Sequence, residues 1–144
     1  MTRQHLLILK DIRFFASLPD EVLESLAEDV ILRNFKKGDL IIKEDMPPVG
    51  CYIILSGTAT VYSINNQAGI KFIIGKAGYH SLIGELSVIS HENSLFTVEA
   101  DEEVSCLFLG IDIFQHLLQT NPVISQIILP LVVERLRQLA EFKK

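Results

Sequence analysis

The chain reads as a mostly β domain with flanking helices, its strands closing into a barrel-like or jelly-roll antiparallel sheet. Three observations carry this reading. Residues 31–109 are rich in β-branched and aromatic side chains with a drift toward period two, broken by turn signals. Residues 17–30 instead place apolar side chains at helical spacing, and a second helical stripe runs toward the C-terminus. With 144 residues, 49% of them apolar, the chain is read as one domain, 1–144, able to bury a core without disulfides or metals. It divides into N-terminal helices (1–30), the sheet (31–109) and C-terminal helices (110–144).

The opening MTRQHLLILKDIRFF has an apolar patch broken by Lys10, Asp11 and Arg13, with no small-residue cleavage site after it. A cytoplasmic location is expected. In SLPDEVLESLAEDV, Ser17 is the expected N-cap, acidic residues fill the early turns, and Val22, Leu23, Leu26, Ala27 and Val30 form one face. Strands are expected at LIIKE, CYIILSGTATVY, IKFIIG, LFTVEA and VSCLFLG. Ser56-Gly57 suits a tight turn or bulge, while Lys37-Gly38-Asp39 and Asn65 to Gly69 suit longer turns. Cys51 and Cys106 sit in apolar strand settings and are expected to be buried thiols. At Thr120-Asn121-Pro122 a helix starts, with Asn121 as cap and Pro122 in its first turn. Leu129, Val132, Leu136 and Leu139 then form a stripe that either packs on the chain's own barrel or makes a homodimer seam. Pro130 lies inside that pattern, and a kink or break is expected near Ile127 to Leu129, with a simple helix boundary or a hinge as its role.

A formal charge of −5 argues against wrapping a nucleic-acid backbone, and the apolar runs are too short to span a bilayer. The expected partner is a small molecule or a protein. No P-loop, dinucleotide fingerprint or nucleophile–base order stands out, so no catalysis is expected. His80, Glu85 and His91 lie near one another but lack the paired-histidine spacing of a metal-holding β roll, so no metal is expected either.

Taken in order, FFASLPDEVLESLA (14–27), Gly38-Asp39, CYIILSGTATVY (51–62) with its Gly57, Gly84-Glu85-Leu86-Ser87 and the Pro122 helix resemble the cyclic-nucleotide-binding domain family. The resemblance covers nearly the whole chain and implies a β roll (a jelly-roll-like double-stranded β-helix) holding cyclic AMP, cyclic GMP or a related ligand. It also implies that Gly84, Glu85, Leu86 and Ser87 form a short helix start, whose backbone N–H groups meet the cyclic phosphate while the glutamate accepts from the ribose 2′-hydroxyl. A helix N-terminus and a close-approaching glycine suit that task physically. The chain departs from the family at Ser94 and Leu95, which stand where the family places a phosphate-pairing arginine. No Lys or Arg occurs from Ala77 through Glu134. Lys71 and Lys76 are the nearest basic residues before that gap, and the segment from Gly78 to Gly84 is longer than is usual for the family.

Two functions follow from these readings. In one, the domain senses a ligand in the roll and relays it through the C-terminal helix to a protein partner. In the other, it is a ligand-independent interaction or dimerisation module that has lost nucleotide binding. Many relatives carry a helix-turn-helix beyond the terminal helix, whereas this sequence ends at Glu141-Phe142-Lys143-Lys144; output through a separate protein or through self-association is expected.

Overall fold

In the computed structural model, residues 2–65 and 68–142 are described. Helix α1 (Thr2–Asp11) leads through a 3-10 turn at Arg13–Phe15 to α2 (Asp20–Asp29). The strands follow as β1 (Ile31–Phe35), β2 (Leu40–Ile42), β3 (Gly50–Ser56), β4 (Ala59–Asn65), β5 (Ile70–Ala77) and β6 (Leu82–Ile83). A short helix α3 (Glu85–Ser90) precedes β7 (Thr97–Ala100) and β8 (Val104–Gly110), and α4 (Ile111–Thr120) and α5 (Pro122–Phe142) complete the order. The strands form two antiparallel four-stranded sheets, β1-β8-β3-β6 and β2-β7-β4-β5, which is the β roll expected from the sequence.

The roll arises because consecutive strands change sheet. β3 pairs with β8 and β6, whereas β4 pairs with β5 and β7, so Ser56-Gly57-Thr58 is a corner between sheets rather than a hairpin. Gly57 has φ +84° there, and an added Cβ would lie 2.3 Å from the Glu103 carbonyl oxygen. The register of β3 against β8 also shifts between Ile54 and Ser56. Turn and bulge therefore coincide at this site.

Sheet β1-β8-β3-β6 has an apolar core on each face. Cys51 and Ile53 of β3, with Leu107 and Leu109 of β8, join a cluster with Leu9, Phe15, Leu26, Phe114, Ile124 and Ile128 from the helices. The alternate positions Tyr52, Ile54, Val104 and Cys106 face the roll interior with Val61, Ile83, Phe96 and Val98. Burial on both sides explains why these strands read as continuous apolar runs, as doubly covered strands do. Both cysteines are free and buried, and burial pushes the Cys106 thiol up to about 12.

Three local expectations need correction. Helix α2 starts at Asp20 behind Pro19, which makes no side-chain cap bond, so Ser17 is not its N-cap; Pro19's φ of −59° already suits the helix entry, and Asp20 and Glu21 occupy the first turn as the helix dipole favours. Asn121 directs its amide back to the Leu117 carbonyl at 3.3 Å, closing α4 instead of capping α5 through its side chain. Helix α5 runs through Pro130 without a break, with Pro130 at an exposed position. Among the described residues no single helix is long and apolar enough to cross a membrane.

Candidate functional site

Gly84 ends β6 and opens α3 with φ +87°. A Cβ there would lie 2.9 Å from Ile42 Cδ1 and 3.1 Å from the Gly50 carbonyl oxygen. Only glycine combines that left-handed backbone with so close an approach, and the turn drives Glu85 inward. Glu85 is 1% exposed. Leu86 packs against both apolar cores, and Ser87 is buried beside it.

The partner of Glu85 comes from the far end of the chain. Arg135 of α5 donates through Nη1 to Glu85 Oε1 and through Nη2 to the Leu82 carbonyl oxygen at 2.6 Å. Glu85 Oε2 is buried without a hydrogen-bond partner. Desolvation by burial raises the Glu85 carboxyl above its ordinary value, against the opposing charge and hydrogen bonds of Arg135 and its own backbone. A buried carboxylate held by one guanidinium and left with one bare oxygen is an acceptor in want of a donor.

Glu85 and Arg135 lie on the wall of a cavity of about 550 Å³. Ile83, Val61, Phe96, Val98 and Leu136 supply apolar surface, and Asp45, Glu92 and Asn93 add polar groups at the α3–β7 side. Volume and composition fit an organic ligand of nucleoside size.

The structure brings Gly84, Glu85, Leu86, Ser87, Ser94 and Leu95 to this one cavity. Ser94 is buried, and its hydroxyl donates to the Phe96 carbonyl at 2.7 Å while accepting from the Phe96 amide at 3.2 Å. Leu95 stands 38% exposed on the rim. Neither nearby lysine arrives: Lys76 binds Asp101 at 2.9 Å and Thr60 at 2.6 Å, and Lys71 lies over the Tyr62 ring, 4.0 Å from its centre. His80 stacks on Tyr79 and His91 meets Gln115. The residues proposed as a dimer seam divide: Val132 is buried in the chain's own core, Leu136 lines the cavity and Leu129 is 62% exposed. The side chain of Leu139 lies outside the described residues.

Arg135 is the residue that sequence reasoning missed. The signal was present, because Arg135 is the first basic residue after the gap that begins at Ala77. Ile124, Ile128 and Val132 are the buried positions of α5, and the step from Val132 to Arg135 continues the same inward face.

Comparison with known proteins follows this geometry. The sequence model described as the cyclic nucleotide-binding domain matches residues 32–121. The cAMP-dependent protein kinase regulatory subunit of Candida albicans is 35% identical over 117 residues, which is 81% of this chain and 24% of that protein. Two solved structures share the fold. A regulatory subunit of a cAMP-independent protein kinase A from Trypanosoma cruzi, bound to guanosine, superposes with a TM-score of 0.78 at 23% identity, covering 86% of this chain and 43% of that one. The regulatory domain of Toxoplasma gondii protein kinase A with cAMP gives 0.79 at 17% identity, covering 88% and 48%. The chain thus spans about a quarter of the Candida subunit and under half of the chains in these two structures.

Proposed function

Because the chain belongs to the cyclic nucleotide-binding domain family, we propose that it is a sensor whose ligand competes with Arg135 for Glu85 and thereby repositions α5. The observation that carries this reading is the bond between Glu85, at the heart of the roll, and Arg135, on the terminal helix. Hydroxyl donors of a ligand would take the buried Glu85 carboxylate over from Arg135, so that the states of α5 with Arg135 held and released differ in ligand affinity. The relatives bound to cAMP and to guanosine support a cyclic nucleotide or a related nucleoside-type ligand. The domain binds and relays; its output goes through α5 to a protein partner, with a second copy of the chain as one candidate, and Leu129 offers exposed apolar surface for that contact.

The test combines calorimetric titration with amide exchange. Cyclic AMP, cyclic GMP or guanosine should release heat, and the bound form should exchange faster around Arg135. In Arg135→Ala the ligand should still bind, but α5 should no longer respond. No heat and no thermal shift at about millimolar ligand would sink the sensor reading in favour of a ligand-independent interaction module. Binding with an unchanged α5 would sink the relay.

A further inference from the structure

Resting on that sensor reading, we infer that the cavity selects an uncharged ribonucleoside over its cyclic phosphate. Three carboxylates, Asp45, Glu85 and Glu92, share the cavity wall, and among the described lining residues Arg135 is the one Lys or Arg. An anionic ligand therefore enters a site whose fixed charge is already negative. At separations of a few ångströms, in a partly enclosed site, like charges repel strongly.

The one cationic donor on the wall is already committed. The single proton of the Ser94 hydroxyl goes to the Phe96 carbonyl. Arg135 uses one nitrogen on Glu85 and the other on the Leu82 carbonyl. A phosphate that recruited Arg135 would strip the buried Glu85 of its cation and set the ligand's own charge beside it. The backbone amides of α3 and the neutral side chains of Ser87, Ser90 and Asn93 would face that anion, with no free side-chain cation behind them.

A neutral nucleoside brings no charge of its own. Its ribose hydroxyls replace Arg135 as donors to the Glu85 carboxylate, whose Oε2 is buried and lacks a partner while Arg135 is in place. Its base lies against Val61, Phe96 and Leu136, where apolar contact needs no charge. The same carboxylates that reject a phosphate are acceptors for hydroxyl and amino groups.

Calorimetric titration of the full chain with adenosine, guanosine, cyclic AMP and cyclic GMP tests this. Each nucleoside should bind at least about tenfold more tightly than its own cyclic monophosphate. A cyclic monophosphate that binds as tightly or more tightly overturns the charge inference while leaving the sensor reading in place. Silence from all four ligands overturns both. Leu95→Arg provides a second arm, because Leu95 is at the exposed rim and the new side chain need not be buried. Its guanidinium should raise affinity for the cyclic monophosphates by about tenfold with little change for the nucleosides. A folded Leu95→Arg protein without that gain would show that missing positive charge is not what limits phosphate binding.

Discussion

Glu85 carries a titration whose sign follows from its surroundings. Burial raises its folded-state pKa, so over the window between its unfolded and folded values the folded chain keeps a proton that the unfolded chain has lost. The stabilising contribution is complete below the unfolded value, near about 4.3, and is lost as pH rises through the folded one. In Glu85→Gln that titration is gone. The stability of the wild-type chain relative to Glu85→Gln should therefore fall as pH rises above the unfolded value, as read from urea midpoints. A flat difference would mean that the Arg135 pairing offsets burial, and one that grows with pH that it outweighs burial. At this scale about half of the site was legible in the sequence. Gly84 and Glu85 could be read because a glycine turn and a helix start are local events. Arg135 could not be paired with Glu85 from spacing, since 50 positions separate them and tertiary packing alone brings them together. Ser94 showed that a cation was missing, but not that its hydroxyl closes on Phe96.

Among the elements, strand composition and turn residues located most of the roll, because alternating burial writes itself into side-chain type. β6 is two residues long and leaves no periodic trace. β1 is mostly exposed, so its composition, ILRNF, is mixed. The helix α5 gave the opposite difficulty. Pro130 signalled a kink or a break, and the helix does not break there, because the other turns of α5 and its packing through Ile124, Ile128 and Val132 outweigh one missing bond to the Gln126 carbonyl. That cost is still present in the folded state. Pro130→Ala restores the amide and removes the ring clash at an exposed position, and it should stabilise the chain by about 1–3 kcal/mol, visible as a raised melting temperature. An unchanged or lowered melting temperature would mean that the proline conformation is favoured where it stands. The same substitution bears on the relay, since α5 is the element proposed to move, and a helix stiffened at its middle would transmit a change at Arg135 further along its length.

Across the whole molecule, the two apolar cores are layered on opposite faces of one sheet; the cavity lies on the roll side, and α5 packs in the helical core through Ile124, Ile128 and Val132 while its Arg135 and Leu136 reach the cavity wall. A ligand effect must cross between them. Two connections do this at the same turn: Leu86 packs against both cores, and Glu85, its chain neighbour, is tied to Arg135. If α3 and α5 shift together as a two-state unit, removing either connection loosens the other, whereas two independent contacts would contribute separately. Leu86→Ala, Arg135→Ala and the double variant form a cycle that distinguishes these cases by urea denaturation, without any ligand. Arg135→Ala should be the costlier single change, because it leaves a buried carboxylate without its cation, and Leu86→Ala should cost less than a full core truncation because Leu86 is only partly buried. The double variant should then depart from additivity by at least about 0.5 kcal/mol, the range found for residues that share a network. Strict additivity would mean that α3 and α5 do not move as one unit, leaving only the direct contacts of Arg135 and Leu136 with the cavity to act on α5.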